Sequence, residues 1–177
     1  MLILVNIVVI LILFFSFIGG LKDGVVKSFF SLLALIIAIP IAGAFYRPLA
    51  SALSFMPGEN WENFVGFFII LAAASALLTL GFLLPRKLIQ KVWNKGGPFR
   101  LIGGAFNVIN AAIGMTVFTL LVRAYPIFGW LEEVVTGSGI LTWLVVHLSF
   151  VQAMLPEVFQ DTVTTIVCWP ALGNLIS

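Results

Sequence analysis

The sequence contains little charge for its size. Only 9% of its 177 residues are Asp, Glu, Lys or Arg, whereas 62% are hydrophobic. A soluble domain carries about a quarter charged residues, and without them its apolar surface would aggregate in water. The scarcity of charge therefore excludes an ordinary soluble domain and predicts a protein whose natural solvent is lipid.

Residues that carry catalysis or bind metal ions are equally scarce. The chain has one cysteine, Cys168, and one histidine, His147. A single thiol cannot form an internal disulfide, and neither residue has a visible catalytic or metal-binding companion. The charged residues show no acid/base or nucleophile constellation of the kind that intramembrane catalysis needs. We therefore predict no enzymatic activity, no cofactor and no metal site.

Four apolar stretches are long enough to cross a bilayer. A membrane-spanning helix needs about 20 residues, because each residue adds about 1.5 Å across about 30 Å of hydrocarbon. The predicted spans cover about residues 1–20, 28–45, 63–84 and 101–122, and none contains a charged residue. We therefore predict an all-α integral membrane protein. Its transmembrane domain, residues 1–123, would hold four transmembrane helices arranged as two hairpins.

The rest of the chain, residues 124–177, predicts amphipathic or interfacial helices. Its apolar stretch 139–155 is only 17 residues long. Polar residues fall on one side of this stretch when it is drawn as a helix, a pattern typical of interfacial or bundle-packed helices. An alternative, which the sequence leaves open, is that 139–155 crosses the bilayer as a fifth membrane helix.

The basic residues are concentrated in two short loops. The segment 85–100 holds five of the nine and no acidic residue. Lys and Arg near span ends are retained in the cytoplasm, so both basic loops are predicted to be cytoplasmic, with the N-terminus and the C-terminal tail outside. The residues predicted to anchor this topology on lipid headgroups are Lys22, Lys27, Arg86, Lys87, Lys91, Lys95 and Arg100.

A sharper interpretation of the 85–100 cluster is a recognition site for a cytoplasmic partner or an anionic solute, and this alternative stays open. Nucleic acid is not a predicted partner, because the loop lacks the interleaved aromatic residues and basic groove of such proteins. The predicted partners are the lipid bilayer and either further copies of the chain or another membrane protein.

Small and polar residues form stripes within the predicted spans. In lipid, helices associate through close packing at small residues and through interhelical hydrogen bonds. An asparagine amide that faced lipid would be unsatisfied, so these stripes must face protein or a water-filled cavity. Helix packing and the lining of a path for neutral or amphipathic solutes are both open. The stripe residues are Gly103, Asn107, Asn110 and Gly114 in the fourth span, and Asn6, Ser16, Gly20 and Gly24 along the first.

Two segments resemble the colicin V production protein family, the CvpA-type membrane proteins. In "LKDGVVKSFFSLLALIIAIPIAGAFYRPLASAL", residues 21–53, a basic residue just before a glycine closes the first hairpin, and the second helix runs to an aromatic-basic end and a "PL". "FRLIGGAFNVINAAIG", residues 99–114, is similar to the glycine-rich entry to the family's fourth helix. The chain departs from the family at Asn6, where Asp is frequent, and at Asn107, where glycine is usual.

The resemblance implies a bacterial inner-membrane protein linked to the production or export of a colicin V-like toxin and to envelope homeostasis. Two functions remain open within it. One is an oligomeric permeation or export component, because four or five helices alone rarely enclose a transport path. The alternative is a non-transporting accessory or scaffold subunit of another membrane complex.

Overall fold

The computed structural model describes residues 2–53, 58–85, 87, 89 and 97–155. The regular secondary structure of these residues is α-helical, as the sequence predicts. The described helices include α1 (Leu2–Ala52), α2 (Glu59–Gly81), α3 (Gly97–Ala124), α4 (Gly129–Gly137), α5 (Gly139–His147) and α6 (Ser149–Ala153). In the described part of the chain, α1, α2 and α3 are the helices long and apolar enough to cross a membrane.

The first two predicted spans, 1–20 and 28–45, both lie within α1, and the residues between them are helical except for Gly24. Gly24 alone departs from helical geometry, with φ 76° and ψ 165°, and helix continues on both sides of it. This backbone region is essentially restricted to glycine, because a Cβ atom would clash there. One residue therefore takes the place of the expected connection over 21–27.

Gly24 divides α1 into an N-terminal arm, residues 2–23, and a C-terminal arm, residues 25–52, and the chain reverses between them. Both arms pack along α3. Later residues of α3 contact earlier residues of the N-terminal arm but later residues of the C-terminal arm. The N-terminal arm is therefore antiparallel to α3, and the C-terminal arm is parallel to it. The contacts that establish these directions are Gly103 with Gly20, Asn107 with Ser16, Phe106 with Phe29, and Tyr125 with Tyr46.

Helix α3 lies in the middle of the bundle. In its most apolar stretch 44% of the residues are buried, compared with 11% in α1 and 17% in α2. One core cluster joins α3 to the C-terminal arm and α2 around Ile39, Phe67 and Leu121. A second joins α3 to the N-terminal arm and the short helices around Val9 and Leu144.

The outer face of the N-terminal arm is apolar and exposed. Its large exposed side chains include Ile3, Leu4, Ile7, Ile10, Phe14 and Phe15. A contiguous surface of this kind is unfavourable in water but suits contact with acyl chains. The arm thus has the surface expected of a membrane helix.

The helices after α3 are short. α5 has nine residues and α6 has five, and Leu148 interrupts the helix between them with φ −99° and ψ 39°. A nine-residue helix is only about 14 Å long, so neither can cross about 30 Å of hydrocarbon. The structure therefore gives no support to the alternative of a fifth membrane helix over 139–155. The predicted tail beyond residue 155, including Cys168, lies outside the described residues.

Candidate functional site

Glycines bring α1 and α3 into close contact at the reversal. A Cβ atom on Gly103 would lie 2.6 Å from the carbonyl carbon of Gly24 and 2.8 Å from the carbonyl oxygen of Gly20. A Cβ atom on Gly20 would collide in turn with the carbonyl oxygen of Gly103. Because the neighbouring atoms are backbone, they cannot move aside as a flexible side chain could. These glycines form a helix crossing.

Asn107 belongs to the same crossing. Its Nδ2 donates a hydrogen bond of 2.7 Å to the carbonyl oxygen of Ser16. A Cβ atom on Gly19 would lie 3.3 Å from the same nitrogen, so small residues make room for the amide. The side chain of Asn107 is therefore engaged in holding the N-terminal arm against α3.

Asn6 lies near the other end of the N-terminal arm and contacts the start of α5. Ser138 Oγ donates a hydrogen bond of 2.7 Å to Asn6 Oδ1. The same Oγ accepts one from the backbone nitrogen of Leu141 at 3.3 Å and so caps α5. Ser138 is fully buried. The amide thus joins the N-terminal arm to the short C-terminal helices.

Asn110 lines a polar cavity between the C-terminal arm, α2 and α3. The cavity has a volume of about 500 Å³. Its polar lining residues are Ser31, Ser75, Thr79 and Asn110, and its apolar ones are Leu35, Ala76 and Leu80. Asn110 Oδ1 is buried and has no hydrogen-bond partner among the described residues.

The α2 hydroxyls that line the polar cavity offer hydrogen-bond acceptors. Thr79 Oγ1 donates to the Ser75 carbonyl at 2.7 Å, and Ser75 Oγ donates to the Ala72 carbonyl at 3.0 Å. The hydroxyl protons are thus used within α2, while the oxygen lone pairs can still accept. Asn110 adds a side-chain amide, whose Nδ2 is a donor and whose Oδ1 is buried. A neutral molecule that donates N–H or O–H groups fits this arrangement, since no charged side chain is among the described lining residues.

The stripe along α3 does not face one common space. Gly103 and Asn107 meet the reversal of α1, whereas Asn110 meets the polar cavity. Gly114 lines an apolar cleft of about 540 Å³ between the N-terminal arm, α3 and α4. Helical spacing places the four residues on one side of α3. Because different elements cover successive turns of that side, the residues have different neighbours.

The described cations of the predicted anchor lie near one end of the bundle. Lys27 forms an ion pair with Asp23 across the reversal. Arg100 Nε donates a hydrogen bond of 3.0 Å to the carbonyl oxygen of Leu21, which brings the start of α3 to the same place. Lys22 and Lys87 are exposed. Arg86, Lys91 and Lys95 lie outside the described residues.

Ser31 is the cavity residue that the sequence does not single out. Ser31 follows Ser28 by three residues on the C-terminal arm, whereas Ser75 and Thr79 are four residues apart and therefore share one face of α2. Only the packing of the C-terminal arm against α2 and α3 brings Ser31 to Asn110. Among the described residues, no group of three or more His, Cys, Asp or Glu side chains could hold a metal ion.

Three long apolar helices, with uncharged polar groups at their contacts, define a helical integral membrane protein. The family profile described as colicin V production protein matches residues 5–149, which is more than half of the chain. The chain belongs to the colicin V production protein family. This confirms the resemblance seen in residues 21–53 and 99–114. Comparisons with curated proteins and with solved structures gave no match.

Proposed function

We propose that this protein is an inner-membrane permeation or export component linked to colicin V-like toxin production and envelope homeostasis, without enzymatic activity. Family membership supports the link to toxin production. The polar cavity at Asn110 supports the permeation step. Its uncharged polar side chains would be costly to place against lipid alone, and a hydrogen-bonding solute or water in the cavity would offset that cost.

Four membrane crossings are part of this proposal. The two arms of α1 hold about 22 and 28 residues, or roughly 33 and 42 Å of helix, so each is long enough to cross. Their opposite directions along α3 support two crossings rather than one. With α2 and α3 they make four spans arranged as two hairpins.

The cations support an orientation. Lys22, Lys27 and Arg100 lie at the reversal, and Lys87 follows the end of α2. Basic residues beside spans are retained in the cytoplasm, so we place the reversal in the cytoplasm and α4 to α6 outside. The basic segment 85–100 then lies at the cytoplasmic headgroups as the topology anchor.

Several copies would be needed to form a path. The edge of the polar cavity on α2 is exposed at Ala76, Thr79 and Leu80, so a single chain leaves the cavity open to the side. A neighbouring copy packed on this edge would enclose it. In the alternative function, that of an accessory subunit, another membrane protein would pack on this edge of α2 instead of a second copy.

The test compares cavity variants with a matched control. The probe is urea, a neutral N–H donor, whose entry into proteoliposomes is followed by swelling. We expect Asn110→Leu and Thr79→Val to slow entry by about tenfold, the equivalent of about one lost hydrogen bond. Thr116→Val is the control, because this α3 hydroxyl donates to the Ala112 carbonyl at 2.9 Å and does not line the cavity.

Secreted toxin activity from cells carrying the same variants provides the second readout, at matched protein levels. The proposal requires Asn110→Leu and Thr79→Val to reduce it and Thr116→Val to leave it unchanged. Urea entry and toxin secretion that are both unaffected in folded Asn110→Leu protein would rule out the cavity as a path.

A further inference from the structure

An apolar pocket lies beside the reversal of α1. Its volume is about 460 Å³, and its described lining residues are Val25, Val26, Phe29, Phe30, Ile89 and Phe106. Phe29 packs edge-on against Phe30 at 5.8 Å and against Phe106 at 5.7 Å between ring centroids. No polar side chain is among these lining residues. The pocket therefore suits a hydrocarbon chain rather than a polar solute.

Cations lie near this pocket, at the reversal of α1. Arg100 precedes Phe106 by six residues and so lies about 9 Å further towards the start of α3. Its hydrogen bond to the Leu21 carbonyl fixes the guanidinium at the reversal. Lys22 is exposed two residues before Gly24. Asp23 is paired with Lys27, so the group keeps a net positive charge.

We propose that the pocket and these cations form a binding site for one anionic phospholipid of the surrounding leaflet. Lys22 and Arg100 bind the phosphate, and an acyl chain occupies the apolar pocket. Arg100 uses Nε for Leu21 and retains its other guanidinium donors, which match phosphate geometry. A soluble anion would leave the pocket unused, and a zwitterionic lipid would gain little from the cations. The site is separate from the polar cavity and does not depend on what passes through it.

The experiment measures lipid binding to the purified full chain in mild detergent by native mass spectrometry. The probes are dioleoyl phosphatidylglycerol and dioleoyl phosphatidylcholine, which have identical acyl chains. We expect wild-type protein to prefer phosphatidylglycerol by at least about tenfold, since a basic residue near an anionic surface is worth about fivefold in affinity. The double variant Lys22→Gln/Arg100→Gln should abolish most of this preference.

Two matched controls separate the site from general charge and hydrophobicity. Arg47→Gln removes one cation at the far end of the C-terminal arm and should keep the preference. Ile89→Trp should fill the pocket and weaken phosphatidylglycerol binding, whereas Leu11→Trp on the exposed N-terminal arm should not. Inorganic phosphate at millimolar concentration should fail to displace the lipid, because it lacks the chain.

Equal binding of the two lipids by wild-type protein would overturn the proposal. So would a loss in Arg47→Gln as large as that in the single variant Arg100→Gln, because the effect would then follow total charge. Displacement of the lipid by inorganic phosphate would also overturn it, because it would assign the site to a soluble anion.

Discussion

Gly103 and Gly114 lie on the same side of α3, but they have different surroundings. Backbone atoms of Gly24, Gly20 and Val25 surround the position where a Gly103 side chain would begin. Nothing lies within 4 Å of the corresponding position at Gly114. Close backbone approach, rather than glycine content alone, is what stabilises helix pairs in lipid. The two positions therefore allow the same substitution to be compared in opposite environments.

We expect Gly103→Ala to destabilise the protein by about 1–3 kcal/mol, because a methyl group must be forced between two backbones. Gly114→Ala should be neutral or stabilising by up to about 1 kcal/mol, since alanine is the better helix former and space is open. Reversible unfolding in mixed micelles measures both free energies of unfolding. Equal values for the two variants would show that the crossing does not contribute to stability.

The two asparagines of α3 show how far residue patterns can be interpreted. Their spacing predicts that both avoid lipid, and both are partly buried. The sequence could not separate their roles, because Asn107 depends on the backbone of Ser16 and Asn110 on a cavity built from three helical segments. The residues that contact Asn107 and Asn110 are distant in sequence and come close only because α1 reverses. A hydropathy profile does not indicate where the chain reverses.

Among the elements, α4 and α5 depend on the rest of the bundle. Each has nine residues, and isolated helices shorter than about 12–15 residues are marginal in water. Their buried residues, such as Val135 and Leu144, pack with Val9 of the N-terminal arm. The hydrogen bond between Ser138 and Asn6 lies at the junction of these helices. The Ser138 hydroxyl therefore helps to hold α4 and α5 against the N-terminal arm.

We expect Ser138→Ala to loosen α4 and α5, because it removes the cap of α5 and the partner of Asn6. Loss of an N-cap costs about 0.5–2 kcal/mol, and the second hydrogen bond adds about 1 kcal/mol. Faster amide hydrogen exchange over residues 129–147 would report the change. Ser149→Ala is the matched control, because this exposed serine begins α6 without capping it. Similar exchange in both variants would contradict the assigned role of Ser138.

The existence of the long helices was predictable, because uncharged stretches of sufficient length favour helices in lipid. Their connection was not. Lys22, Asp23 and Lys27 are typical of a loop, but the chain reverses at Gly24 with helix on both sides. The interruption at Leu148 was also missed, because no glycine or proline occurs in 140–155 to indicate a break. Both features are changes in the backbone dihedral angles of a single residue, and hydropathy, which is averaged over a window of residues, does not indicate them.

For the whole molecule, the distribution of burial suggests which surfaces meet lipid and which meet protein. α3 is covered by both arms of α1 and by the short helices, whereas α2 packs mainly on the C-terminal arm. The exposed edge of α2 beside the polar cavity carries Ala76 and Thr79. Small and hydroxyl side chains favour helix–helix contact in membranes. This edge is therefore where a further copy would pack in the proposed oligomer.

The oligomer can be tested by the size of the purified protein in mild detergent, measured by light scattering with the detergent mass subtracted. We expect a discrete homo-oligomer for the wild type. Ala76→Trp should dissociate it, because the indole would replace a small residue at the contact. Leu77→Trp is the control, because Leu77 is 69% exposed and does not line the cavity. A monomeric wild type that co-purifies with another membrane protein would favour the accessory role. Dissociation by both variants would locate the contact elsewhere on α2.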